Sequence, residues 1–460
     1  MFYSLAMQRG IAALVTCLLA SQLVEAQTFE LLRFDEDYSY LANEKERPVY
    51  PAIKFIPIGK ASYWTIGGDI RQELSFFKNE DWGSRHLGEN NFLLQRYDLQ
   101  LDLHITSRFR FFAQARSALE DGRKDGPRFI DQDKLNLQNF FCDITPWRSS
   151  KDSLTLRIGK QEVNYGSERI LSVQDGSNAR IDFAGVKCIY RVKNLSADFF
   201  AMKSDIDHYG VFDNRLSDAL NLWGVNTTFH IPEWDHLDLY YIGSRKDSCR
   251  YEAGVGHEQR NTFGARFWRA GGRWSYDIES DYQSGKFGLT DISAWALFTD
   301  LSIRLSHFPL SPNIGIKCDF TSGNKHRGNE SLGTFNALYP RSAYFGYNPL
   351  VGAGNLVDVH PYIALRPVKK MTINLDVLFN WRFSLNDGVY TPLATYSLGG
   401  TPIDKRYIGT SYTVKLEYAL NSFLGLMAGL QYFETGPFLE STILHVANAR
   451  EASVRLTFAF

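Results

Sequence analysis

The sequence predicts an all-β fold: a transmembrane antiparallel β-barrel of about 18 strands, with short periplasmic turns and long extracellular loops. Three observations lead there. Apolar and polar residues alternate with a period of two from Trp64 to the C-terminus. The connections between these runs are alternately short and long. After the first 26 residues no stretch approaches the ~18 uninterrupted apolar residues that a membrane-spanning helix needs.

Residues 1–26 read as a secretory signal peptide. Arg9 supplies a positive charge, Ile11 to Leu19 form a short apolar core, and Val24-Glu25-Ala26 ends as cleavage sites do. Cys17 lies within that core and is followed by Leu18 and Leu19, so it reads as part of the signal rather than as a lipid-attachment site. Residues 27–60, carrying Pro48, Pro51 and Pro57, lack alternation and are expected to form a periplasmic lead-in segment, leaving 61–460 for one barrel.

In the first strand Trp64, Ile66, Ile70, Leu74 and Phe76 alternate with Thr65, Asp69, Arg71, Glu73 and Ser75. In the second, Tyr97, Leu99, Leu101, Leu103 and Ile105 alternate with Arg96, Asp98, Gln100, Asp102 and His104. Similar runs follow near 107–117, 135–144, 153–163, 180–191, 195–204, 220–230, 237–245, 258–269, 273–284, 290–304, 313–322, 356–366, 371–382, 406–419, 424–433 and 452–460. Short connections are expected at Thr106-Ser107, Trp147–Lys151, Val192–Asn194, Ile231–His236, Ala270–Gly272, Leu305–Pro312, Pro367–Lys370 and Asn421–Phe423, with long polar loops between them. An even strand number then leaves both barrel ends facing the periplasm. The last run places Val454, Leu456, Phe458 and Phe460 on one face and ends on an aromatic, resembling the signal read by barrel assembly machinery. So many charges alternate that one water-excluding core could not take every apolar face, so the apolar faces are assigned to lipid.

Composition agrees with this reading: aromatics reach 14% and glycines number 36, which suits strands with interfacial aromatic girdles. A formal charge of −1 provides no global field to gather nucleic acid or an acidic membrane surface. Cys142, Cys188, Cys249 and Cys318 are far apart, with no grouped histidines, so isolated thiols are expected rather than a metal site.

If the register holds, strand parity turns Arg71, Arg96, Arg110, Arg116, Arg157, Arg266 and Arg382 inward, and with them Asp69, Glu73, Asp98, Asp102, Asp277, Glu279, Asp281, Asp358 and Asp376. Arginines gathered at one depth would select anions. The plainer expectation for any single arginine is a cross-strand ion pair on a wet wall. For catalysis, neither G-x-S-x-G nor H-E-x-x-H occurs. His208 and His257 are expected in outer loops and His104 and His360 on inner faces, and the Asp277/Glu279 pair reads as wall rather than glycosidase chemistry. No enzyme and no cofactor is expected.

Two blocks are distinctive. One runs Ile158-Gly159-Lys160-Gln161-Glu162-Val163-Asn164-Tyr165-Gly166-Ser167-Glu168-Arg169-Ile170 and continues from Gly176-Ser177-Asn178-Ala179-Arg180 to Val186. The other is Phe335-Asn336-Ala337-Leu338-Tyr339-Pro340-Arg341-Ser342-Ala343-Tyr344-Phe345-Gly346-Tyr347. With the strand pair from Ile408-Gly409-Thr410 to Tyr432, they resemble the alginate-export family of outer-membrane proteins over roughly residues 64–460. The resemblance implies an eighteen-stranded barrel and an arginine-rich constriction passing an anionic polyuronate. It points to Arg169 and Arg180 within the matching block, and parity adds Arg71, Arg96, Arg157 and Arg382 as pore-lining candidates. Ser411 stands where the family leads one to expect an acidic residue.

The expected function is therefore a passive channel of the Gram-negative outer membrane for anionic solutes, with an acidic polysaccharide such as alginate as the specific candidate. Its expected partners are outer-membrane lipid and lipopolysaccharide, the assembly machinery, an anionic oligo- or polysaccharide and periplasmic export proteins, with no nucleic acid. Two alternatives stand beside it. A general or differently selective uptake porin shares every barrel feature. A surface adhesin or barrel-embedded hydrolase would use the long loops, chiefly 323–355 and 383–405, or a lumenal site. Tyr339-Pro340-Arg341 is read as an ordinary outer loop, with a gate as the other option.

Overall fold

The computed structural model describes residues 29–43, 49–59, 61–218, 221–232, 235–326 and 331–460; the signal-like segment 1–26 lies outside them. The described chain forms a closed barrel of 18 antiparallel strands. They are β1 (Tyr63–Lys78), β2 (Glu89–Thr106), β3 (Phe109–Asp121), β4 (Asp133–Arg148), β5 (Ser153–Gln161), β6 (Phe183–Val192), β7 (Leu195–Ile206), β8 (Leu222–Ile231) and β9 (Asp235–Tyr251). The second half comprises β10 (Gly254–Arg269), β11 (Trp274–Phe287), β12 (Thr290–Arg304), β13 (Asn313–Thr321), β14 (Leu356–Leu365), β15 (Met371–Arg382), β16 (Tyr407–Ala419), β17 (Leu424–Thr435) and β18 (Ala449–Ala459). Each strand pairs with its neighbours in sequence, and β1 closes on β18 in a register running from Asp69 opposite Ala459 to Lys78 opposite Arg450. Closure satisfies the strand edges that hydrocarbon could not hydrate.

Burial follows the alternation inverted relative to a soluble sheet. Leu74 and Leu99 are 50% and 55% exposed toward the lipid side, whereas Arg71 on the inner face is 1% exposed. Phe109, Trp147, Phe229, Phe267, Trp274 and Phe308 are exposed close to the periplasmic turns, forming an aromatic girdle at that interface. Cys142, Cys188, Cys249 and Cys318 are all free thiols.

All 18 expected strands are present, but several ends move. Between β9 and β10 the expected outer loop is a two-residue turn, Glu252-Ala253, because Cys249–Tyr251 pair with Gly254–Gly256 beyond a bulge that follows Lys246. His257 consequently lies in β10 rather than in a loop. A second tight turn, Gly288-Leu289, joins β11 to β12, with Gly288 in the left-handed conformation that favours glycine. At the other extreme β5 ends at Gln161 and β6 starts only at Phe183, so Arg180 belongs to a loop, not to a strand. That loop turns into the barrel.

Candidate functional site

The lumen is narrowed by two loops that fold inward, 162–182 between β5 and β6 and, between β13 and β14, the described residues 322–326 and 331–355. They turn in because they carry their own apolar residues. Val163, Ile170 and Leu171 of the first and Phe335, Ala337, Leu338 and Phe345 of the second are buried together in one cluster. Such side chains gain more from each other inside than from water outside.

The loops also join backbone to backbone. The Ser172 N–H donates to Tyr339 O at 2.9 Å, Tyr339 N–H to Ile170 O at 3.0 Å, and Arg341 N–H to Glu168 O at 2.8 Å. The Arg341 guanidinium meets the Glu168 carboxylate at 2.6 Å. The two distinctive sequence blocks are thus partners in space. Tyr339-Pro340-Arg341, expected outside, lies within the barrel, because this pairing satisfies its backbone there.

Charged anchors hold the first loop to the wall. Asp175 is the focus: Arg96 of β2 donates to it at 2.9 Å and Arg180 at 2.6 Å, while Arg71 of β1 lies 3.9 Å away. Arg71 also donates to the Asp175 and Ser177 carbonyls, both at 3.3 Å. Burial opposes ionisation of Asp175, but Arg180, Arg96 and Arg71 outweigh it and hold the carboxyl well below the usual carboxylate range. Arg169 is 1% exposed and joins Asp277 and Glu279 of β11, both at 2.7 Å, beneath the Tyr344 ring.

Of the six arginines singled out from sequence, the fold therefore brings together Arg71, Arg96 and Arg180. Arg157 stands apart, forked onto Asp143 at 2.8 and 2.9 Å. Arg382, at the outer end of β15, is fully enclosed and donates to the carbonyls of Leu385, Asp387, Gly400, Ile403 and Lys405, bracing loop 383–406. Loop 383–406 is also fastened at Glu252, which accepts from the Tyr396 hydroxyl at 2.9 Å and the Gly400 N–H at 3.0 Å.

A cavity of about 630 Å³ runs alongside the two inward loops on the side of β12–β18 and β1–β2. None of those six arginines borders it. Of its cations, Arg128 and Arg341 stand on loops, whereas Lys317, Arg455 and Lys415 lie on β13, β18 and β16, each four residues from the periplasmic end of its strand. Its carboxylates are Glu73, Glu80, Asp81, Asp131, Asp175, Asp300, Asp376, Glu417 and Glu451. Several are paired: Glu73 with Arg455 at 2.7 Å, Asp131 with Arg128 at 2.7 Å, Glu417 with Lys415 at 3.1 Å. Lys317 differs, contacting the Tyr344 carbonyl at 3.3 Å and the Tyr344 and Tyr362 rings. The alternation that marked arginines from β1 to β15 also marks Lys317, Lys415 and Arg455 as inward, but they are not among the candidates singled out from sequence. Asp175, in an irregular loop, carries no periodic signal at all.

The alginate export family model matches residues 62–453. No curated protein sequence matches the chain. Among solved structures, OccK8 (OprE) of Pseudomonas aeruginosa is similar at a TM-score of 0.57 and 12% identity, over 86% of this chain and 98% of that one. OccAB1 of Acinetobacter baumannii is similar at 0.58 and 10%, over 86% and 96%. OccK2 (OpdF) of Pseudomonas aeruginosa, in a structure with glucuronate, is similar at 0.55 and 11%, over 86% and 98%. At such identities the likeness is one of fold, that of outer-membrane porins. With a family model matching residues 62–453, well over half of its length, the chain belongs to the alginate export family and is a β-barrel protein of the Gram-negative outer membrane.

Proposed function

We propose that the barrel is a passive channel for anionic saccharides, with an acidic polysaccharide such as alginate as its most specific cargo. The observation that carries the reading is the set of cations, Arg128, Arg341, Lys317, Arg455 and Lys415, along one continuous cavity that reaches from the loops into the strands. A carboxylate entering it would exchange part of its hydration for successive cations, while neighbouring carboxylates keep each contact weak enough for release. Arg71, Arg96 and Arg180 act one layer back, positioning the loop that shapes the passage, and Arg169 does so from within that loop through its hold on β11. The family's description and the glucuronate in the OccK2 structure agree with an acidic sugar as cargo.

A second reading, a general or differently selective porin, has its own observation: carboxylates outnumber cations along the same cavity. Reversal potentials in planar bilayers under a salt gradient separate the two, followed by addition of oligouronates and of neutral oligosaccharides of equal length. Anion-selective current blocked by the uronates alone is the expected result. Unselective current, unaffected by uronates, would replace the first reading with the second.

A further inference from the structure

We propose that the N-terminal segment, residues 29–43 and 50–55, is a detachable stopper seated in the periplasmic mouth of the barrel, and that its release widens the channel. The inference rests on the channel reading above. Phe34, 2% exposed, is wedged edge-on between Phe112 of β3 and Phe141 of β4, at ring-centroid distances of 5.7 and 5.2 Å. The Arg157 guanidinium covers its ring at 4.4 Å.

Lumenal arginines also hold the segment's backbone: Arg110 donates to Phe34 O at 2.7 Å and Arg180 to Leu31 O at 3.1 Å. Arg33 reaches past the seam between β1 and β18 and donates to Phe460 O at 2.8 Å. The segment thus spans from β3–β5 to the end of β18 and touches the inward loop. The cavity described above has no lining residue from it, so with the stopper seated the open path lies on the side of β12–β18 and β1–β2.

Its attachment suits release. Among the described residues, no backbone–backbone hydrogen bond joins 29–54 to the barrel ladder; that pairing begins with Ile56 opposite Trp64 and Pro57 opposite Tyr63. The seat also holds an unfavourable contact. Lys54 Nζ is buried with no hydrogen-bond acceptor among the described residues and faces the Tyr38 and Tyr50 rings, at 4.9 and 5.5 Å. An ammonium held this way weakens docking relative to the same group in water. A purely structural brace would have no reason to keep it.

The test uses the full chain with its native cysteines replaced by alanine. One variant, Arg33→Ala with Phe34→Ala, removes both side-chain anchors. A second, Phe34→Cys with Phe141→Cys, is bridged by a short bis-methanethiosulfonate and later released with reductant. Single-channel conductance should rise about twofold in the anchor-free variant, as expected when a wider solvated mouth is opened. In the bridged protein it should stay at the parent level, and reductant should then raise it. Equal conductance in the anchor-free and parent proteins, or a bridged protein that conducts the same before and after reduction, would overturn the stopper alone. Folded barrels that remain silent in every form would overturn the channel reading with it. Because the bridged arm is read before and after reduction on the same folded molecules, it decides the matter even where the alanine pair fails to fold.

Discussion

Replacing Asp175 with asparagine tests the loop anchor most directly, because the change keeps the volume and removes only the charge. In the parent, Arg96 and Arg180 each make one carboxylate contact below 3 Å among the described residues, and both are to Asp175, at 2.9 and 2.6 Å. Their remaining carboxylates are Asp98 at 3.7 Å and Glu162 at 3.5 Å, and Arg71 keeps Glu73 at 3.9 Å. Leaving buried guanidiniums without their counter-charge costs about 3–5 kcal/mol. The asparagine amide would still accept one hydrogen bond, so we take the lower figure of about 3 kcal/mol, or roughly 100-fold in the docking equilibrium of loop 162–182. Hydrogen exchange reads it at the Ser172, Asn178 and Ala179 amides, which donate to Tyr339 O, the Asp131 carboxylate and Ile130 O. Protection there should fall by about two orders of magnitude. As Asp175 borders the cavity, the lumen also gains one net positive charge, and the reversal potential should move toward anions. Protection within about tenfold of the parent, a change of under roughly 1.4 kcal/mol, together with an unmoved reversal potential would refute the reasoning.

Further outcomes follow from the same geometry. Lys317→Met and Arg455→Met should each weaken oligouronate block, whereas Arg157→Ala, distant from the cavity, should leave block intact while lowering thermal resistance to unfolding on gels. Arg382→Ala leaves five carbonyls without their shared donor and should destabilise loop 383–406 by about 3 kcal/mol, seen as new protease nicks within it. Gly429→Ala would drive a Cβ into the Tyr347 ring, displacing the inward segment 331–355 and changing single-channel conductance. Burial lowers Lys54 from 10.5 to about 7, against Glu36 and with Arg33 as its charged neighbours and Tyr38 and Tyr50 above it. The released segment then binds more protons between those two values, so seating should strengthen, and conductance fall, as pH rises from 7 toward 10. Lys54→Met should abolish that slope.

Much of this protein is legible in its sequence. Strict period-two alternation reports which face each residue takes, because successive side chains of a strand point oppositely, and this determined the strand count, the inverted lipid face and the inward position of Arg71, Arg96 and Arg157. Strand ends were less legible where pairing outlasted alternation, as at Cys249–Tyr251. What only the tertiary structure decided is depth and inward folding. Parity is the same at either end of a strand, so it could not separate Arg71, held on Asp175, from Arg382, enclosed by the carbonyls of an outer loop. Nor could it find Asp175, or the union of the 162–182 and 335–347 blocks, or Phe34 in the periplasmic mouth. Irregular chain carries no period, and its position is set by contacts with residues hundreds of places away, which exist only once the barrel has closed.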